Sequence, residues 1–136
     1  MHKIISCIVF IFSIPMAFGQ TFVSGNSFQT PSGNIACTME DATSLRCDLM
    51  SQTNQRPPKP VDCPVEYGGA YALQAKGKAW ILCHGDTIYN PSYPKLPYGA
   101  TWTNNGIICE SKQTGLTCKN FAGRGFFLSK ANQQLF

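Results

Sequence analysis

Hydrophobic and polar residues alternate clearly along one stretch of this chain and more weakly along a second. Between Asn26 and Leu49, Ile35, Cys37 and Met39 share one parity and Asn34, Thr38 and Glu40 the other; beyond Asp41-Ala42-Thr43 the pattern resumes with Leu45, Cys47 and Leu49 opposite Arg46 and Asp48. A period of two on both sides of a short polar stretch predicts an antiparallel hairpin. If Cys37 faces Cys47, Met39 falls opposite Leu45 and Ile35 opposite Leu49, so every apolar side chain points the same way. A weaker copy returns near the C-terminus, where Asn105-Gly-Ile-Ile-Cys109 leads through Lys112-Gln-Thr-Gly115 to Leu116-Thr-Cys118. In both copies an Ile stands two residues before the first Cys and a Leu two before the second.

The intervening chain fits the same class. Tyr71–Ala75 and Ala79–Cys83 flank a charged tip, Lys76-Gly77-Lys78, and read as another hairpin. Asn104-Asn105-Gly106 is a tight-turn signal between Thr101-Trp102 and Ile107-Ile108. Thr30-Pro31-Ser32-Gly33 is a turn in which proline presets φ and glycine admits φ > 0. Ser51–Pro64, with four prolines, should cross the surface in extended form. A last strand is expected at Phe126–Leu128, followed by a tail with one helical turn capped by Ser129. No twelve-residue window carries a helical period, so the expected fold is all-β: a small disulfide-stabilised sandwich or partly open barrel with two similar cysteine hairpins.

The N-terminus changes the picture of where the chain folds. Lys3, an apolar run from Ile4 to Phe18, and small residues Ala17 and Gly19 describe a secretory leader over residues 1–19, leaving 20–136 as one domain. The run is short of the ~20 apolar residues of a membrane span, and Pro15 interrupts it. Cys7 would leave with the leader, and no Cys follows Gly19 to accept a lipid. Six cysteines then remain, an even count that in an exported chain points to three disulfides and a periplasmic or secreted location. Chain order suggests Cys37–Cys47, Cys63–Cys83 and Cys109–Cys118, one of the fifteen pairings six cysteines allow. Without Lys3, ten basic residues stand against seven acids, and they are scattered, so no nucleic-acid or membrane patch is expected. A monomer is expected.

Little in the sequence carries chemistry. The mature chain has one histidine, His84, in the turn Cys83-His84-Gly85-Asp86, and no serine in a nucleophile-elbow context. No Cys-x-x-Cys is present and the cysteine spacing does not suit zinc, so neither cofactor nor metal is expected. Of the seven acids, Asp48 and Asp86 are the ones to test, although turn closure or a salt bridge such as Asp48 with Lys119 accounts for them. Most of the acids should sit at turns or on outward strand positions. The strongest binding candidate is the stretch from Asp86 to Trp102, where Tyr89, Tyr93, Tyr98 and Trp102 alternate with Pro91, Pro94 and Pro97: large amphipathic rings on a pre-organised loop.

Taken together, Phe28-x-Thr-Pro-Ser-Gly-Asn-Ile-x-Cys37, Leu45-Arg-Cys-Asp48, Cys83-x-Gly-Asp-Thr87, Leu96-x-Tyr-Gly99, Gly115-Leu-Thr-Cys118-x-Asn120 and Gly123-x-Gly-Phe126-x-Leu-Ser129 resemble a bacterial secreted domain family of unknown function. The resemblance implies an exported, disulfide-containing domain, tethered as a lipoprotein in other members, and supplies no activity. The expectation is a non-enzymatic envelope module that binds a protein or glycan partner through the Tyr89–Trp102 surface, inhibitor-like or immunity-like in its physics. The competing expectations are an envelope hydrolase using Asp48, Asp86 or His84, and a purely structural envelope protein.

Overall fold

The protein is described by a computed structural model covering residues 8–11 and 21–136; the remainder of the expected leader, residues 1–7 and 12–19, lies outside the described residues. Strand follows strand, with no helix among the described residues: β1 (Phe22–Val23), β2 (Ser27–Gln29), β3 (Ile35–Met39), β4 (Ser44–Leu49), β5 (Glu66–Gln74), β6 (Trp80–His84), β7 (Thr101–Asn104), β8 (Ile107–Lys112), β9 (Gly115–Asn120), β10 (Gly125–Leu128) and β11 (Gln133–Leu135). They form two sheets, β2-β3-β4-β5-β6 and β1-β7-β8-β9-β10-β11, neither closed into a barrel. The fold is thus an all-β sandwich. All three disulfides follow chain order: Cys37–Cys47, Cys63–Cys83 and Cys109–Cys118.

The first cysteine hairpin has the register its apolar pattern demands, with Ile35 opposite Leu49, Cys37 opposite Cys47 and Met39 opposite Leu45. The second copy reproduces more than its cysteines. In one sheet Phe28 pairs with Cys37, Cys47 with Tyr71 and Leu45 with Leu73. In the other Trp102 pairs with Cys109, Cys118 with Phe126 and Leu116 with Leu128. Strands β2 to β5 therefore repeat as β7 to β10, related by an approximate two-fold axis that exchanges the sheets. The equivalent rings meet across the core, Phe28 against Trp102 at 5.0 Å and Tyr71 against Phe126 at 5.9 Å between centroids. Aromatic pairs at such separations add about 1 kcal/mol each to their burial. The two buried disulfides lie between the pairs, in one continuous apolar cluster.

The halves are also laced together at their leading edges. β1 runs parallel to β7, the first strand of the other half, while Lys95, in the segment leading into β7, makes a parallel bridge to Gln29 of β2. Each half thus supplies a short stretch to the other's sheet.

The strand directions sort the connections into two ends. At one end lie only short turns: 40–43, 75–79, 105–106 and 121–124. At the other lie the turn 30–34, the proline-rich crossover 50–65, the loop 85–100, the two-residue turn 113–114 and the bend 129–132. Two sequence expectations are corrected here. The tail carries no helical turn: Ser129 accepts from the Asn132 amide at 3.0 Å to close a bend, and β11 then pairs with β10. Asp48 has the outward parity expected of it on β4 but is not solvated: Arg46 and the 87–88 segment cover it, and it is 1% exposed.

Candidate functional site

The loop-bearing end opens between the two sheets. There the β2–β3 turn and the β8–β9 turn face one another, and a cleft of about 370 Å³ lies between them, lined by Thr30, Ser32, Asn34, Ile35, Tyr98, Lys112, Gln113, Thr114, Gly115, Ser129 and Lys130. This is within the usual range for small-ligand sites.

Each wall is held by backbone bonding. On one side Gly33 donates to the Thr30 carbonyl at 2.9 Å and has φ of 75°, as a Thr-Pro-Ser-Gly turn requires, while Thr30 donates to the Ile35 carbonyl at 2.9 Å. Asn34 extends this wall to the crossover, its side chain accepting from Ser51 N at 2.9 Å and donating to Ser51 O at 3.0 Å. On the far side the bend carrying Ser129 and Lys130 is tied to the same crossover, with Thr53 N donating to Lys130 O at 2.8 Å and Asn54 Nδ2 to Gln133 Oε1 at 2.8 Å. Tyr98 stands at the tip of a turn closed by Ala100 N donating to Pro97 O at 3.0 Å, with Gly99 at φ 86° in the position that needs it. Gly99 N donates to Ser111 O and Ser111 N to Ala100 O, fastening that turn to β8. The Tyr98 ring remains 48% exposed.

The structure separates the four aromatic candidates. Trp102 leaves the surface altogether: fully buried, it packs on Phe28 and donates Nε1 to Gly25 O at 3.2 Å. Its parity on β7 matches that of Cys109 on β8, and this inward register outweighs its position beside an aromatic loop. Tyr98 lines the cleft, and Tyr89 is exposed with its hydroxyl close to Gly33 of the cleft turn. Tyr93 is half-buried and contributes its carbonyl to the loop's anchor. That anchor, Gln29, was not singled out in the sequence. Its buried side chain donates to Pro91 O at 3.1 Å and Tyr93 O at 2.8 Å, while its main chain bonds Pro94 and Leu96. A glutamine next to Phe28 gives no sign of this from spacing alone. Leu96, fully buried, plugs the loop into the core.

The second cavity, about 270 Å³, includes Asp48, Met50, Arg56, Glu66, His84 and Thr87 in its lining. It brings Asp48 and His84 to one place; Asp86 is not part of it. Asp48 is a structural carboxylate: it accepts Arg46 Nε at 2.8 Å and an Arg46 terminal nitrogen at 3.1 Å, Thr87 Oγ1 at 2.9 Å and the Ile88 amide at 3.0 Å. Its ion-pair partner is Arg46 on its own strand, in place of the expected Lys119, which lies in the other sheet. Arg46 also donates to Asp86 O at 2.9 Å, so the pair pins the start of the 85–100 loop to β4. Burial acts to lower the Arg46 pKa, but hydrogen bonding and charge from Asp48, with help from Glu40, outweigh it and raise the pKa above the ordinary arginine value. His84 Nδ1 lies 3.1 Å from Gly85 O, and its Nε2 is buried without a partner. No group of three or more His, Cys, Asp or Glu able to hold a metal occurs among the described residues.

Comparison with protein families bears on the whole of this architecture. The family model described as "Family of unknown function (DUF6636)" matches residues 9–136. The chain belongs to that family. No curated protein and no solved structure matches it. The DUF6636 match spans both halves of the sandwich, the three disulfides and the cleft, so the repeated hairpins and the open end fall within one family unit. Three disulfides in such a domain point to an oxidising environment. No helix among the described residues is long and apolar enough to cross a membrane.

Proposed function

We propose that this DUF6636 domain is an exported, non-enzymatic binding module of the bacterial envelope, and that its site is the open cleft with Tyr98 on its rim. The reading rests on one observation: related turns face each other at both ends of the sandwich, and at the loop-bearing end they stand apart around a ligand-sized cleft, while at the other end side-chain bonds tie them together. A sandwich that gathers its long loops at one end, each fixed to a cross-linked frame, is the arrangement by which rigid β domains present binding surfaces. The leader-like N-terminus and the three disulfides support export, with no part for the chain inside the reducing cytoplasm. The original aromatic surface contracts in this reading to Tyr98 and Tyr89, with Tyr93 at the flank.

The hydrolase alternative has less to support it. Asp48 is held by four hydrogen bonds within the protein, and a carboxylate so engaged serves as a brace more readily than as a general base. The test is retention of an envelope component by immobilised mature protein, compared with Tyr98→Ala and with Asp86→Asn. Loss with Tyr98→Ala alone supports the module. Retention by Tyr98→Ala, or turnover of cell-wall sugars, peptides or esters that Asp86→Asn abolishes, overturns it.

A further inference from the structure

We infer that the cleft takes a carboxylate-bearing saccharide, a uronic-acid-like unit, with the carboxylate between Lys112 and Lys130 and a ring face against Tyr98. This rests on the binding reading above and adds the ligand's chemistry.

Charge gives the first part. Lys112 and Lys130 line the cleft, and no acidic residue does. The nearest carboxylate in contact with either lysine is Glu110, 3.5 Å from Lys112 Nζ with both side chains largely in solvent, a contact weak enough to be exchanged for a ligand. Lys112 at the end of β8 and Lys130 just beyond β10, on the same sheet and in the same cleft, supply two point charges for one carboxylate.

The rest of the lining gives the second part. Thr30, Ser32, Thr114 and Ser129 supply hydroxyls, and Asn34 and Gln113 supply amides. Such a wall can donate to and accept from the several hydroxyls of a sugar ring. Tyr98 adds an exposed, backbone-fixed ring whose negative face suits the polarised C–H bonds of a pyranose.

An acidic peptide is the rival occupant and fits less well. Peptides that lie against β domains gain affinity by pairing with a free strand edge. The cleft instead lies between turns whose main-chain groups are already engaged, Thr30 with Ile35 and Gly33, and Lys112 with Gly115.

The test is a 1H–15N titration of the mature protein with oligo-galacturonate, oligo-glucuronate and N-acetylmuramate, beside the methyl ester of oligo-galacturonate and a hexaglutamate peptide. The expected result is a saturable shift of the 30–34, 112–115 and 129–130 amides with at least one carboxylated sugar. The corresponding ester should bind at least ~10-fold more weakly, and Lys112→Gln with Lys130→Gln should produce a similar loss while the melting temperature stays the same. Added salt should weaken binding several-fold, since an exposed ion pair is screened over ~10 Å. Equal binding of acid and ester overturns the charge assignment. Binding of hexaglutamate in preference to every sugar, or no shift with any of the three acids, overturns the saccharide assignment. If Tyr98-dependent retention of an envelope component persists in those cases, the ligand class fails and the binding module stands; if that retention is also absent, both fail.

Discussion

The two ends of this sandwich carry equivalent turns and have opposite characters. At the short-turn end, Asn105 of the β7–β8 turn donates its side chain to Ala42 O in the β3–β4 turn. Asn120 donates to Gln74 O at 3.0 Å and Gly77 O at 2.9 Å, and its Oδ1 accepts from the Ala122 and Arg124 amides. Phe121 lies over Gly106 with Ala75 beside it. The sheets are stitched shut. At the other end the equivalents of these turns, 30–34 and 112–115, stand apart around a cleft. The repeat itself shows where the difference arises. Leu49, opposite Ile35, is replaced in the second copy by Asn120, opposite Ile107. One change from an apolar to an amide side chain converts a packing position into a clamp. Closure is thus a local property of a few asparagines, and the open end is not an unavoidable consequence of the fold.

The largest effect expected from breaking this arrangement is at Asp48. Asp48→Ala leaves the Arg46 guanidinium, 11% exposed, without its closest carboxylate, keeping only the longer contact to Glu40 and the bond to Asp86 O, and frees Thr87 and Ile88. We expect a loss of about 3 kcal/mol, read from urea or thermal unfolding. The 85–88 segment should also lose amide protection, because the same pair anchors it at the open end.

Asn120→Ala is expected to cost about 2 kcal/mol, since it removes four hydrogen bonds that the buried amide makes to main-chain groups of two turns. Its exchange protection should fall at 74–77 and 121–124 and stay unchanged at 30–34 and 112–115. Loss spread over both ends would show that the clamp is not local. Removing a hairpin disulfide offers a matched pair. Cys37→Ala with Cys47→Ala, and Cys109→Ala with Cys118→Ala, close loops of nearly equal length, with separations of 10 and 9 residues. Each double variant should therefore lose a similar amount, about 3 kcal/mol on the chain-entropy account before any cavity contribution. A large inequality would mean that the halves are not energetically equivalent.

Tyr98→Ala should change stability by less than about 0.5 kcal/mol, because the ring is half exposed and its turn is held by main-chain bonds. The smallest effect is at the β3–β4 turn. Asp41 accepts from the Thr43 amide at 2.8 Å, and this bond, foremost, lowers its pKa below the usual aspartate value. A depressed folded-state pKa contributes stability that is present above the unfolded value and fades as pH falls through the folded one. The Asp41→Asn variant should accordingly match the parent at low pH and fall slightly behind it near neutrality, as read from melting curves.

Much of the frame was legible before the structure. Period-two alternation placed both cysteine hairpins and fixed the first register, because these are local consequences of strand geometry; the pairing of all six cysteines followed from their order along the chain, which the structure bears out. The leading-edge exchange was not legible, since Phe22-Val23 and Lys95 are too short to show a period. Neither was the role of Gln29, whose partners are more than sixty residues away. Trp102 and Asp48 were misplaced for different reasons: strand parity turns Trp102 into the core, whereas Asp48 keeps its outward parity and is buried because Arg46 and the 87–88 segment fold over it. The cleft was only half visible. Its Thr-Pro-Ser-Gly wall and Tyr98 stood out as turn chemistry and aromatic content, whereas Lys112, Ser129 and Lys130 come together through the pairing of β8, β9 and β10 and meet that wall only when the sheets stack.

The most direct measurement of the central claim is an amide map of residues 20–136 before and after addition of soluble envelope fragments. Perturbations gathered at 30–34, 98–99, 112–115 and 129–130, with the 40–43 and 104–106 turns unmoved, are the predicted result. Perturbations centred on the stitched end, or none at either end, would contradict it.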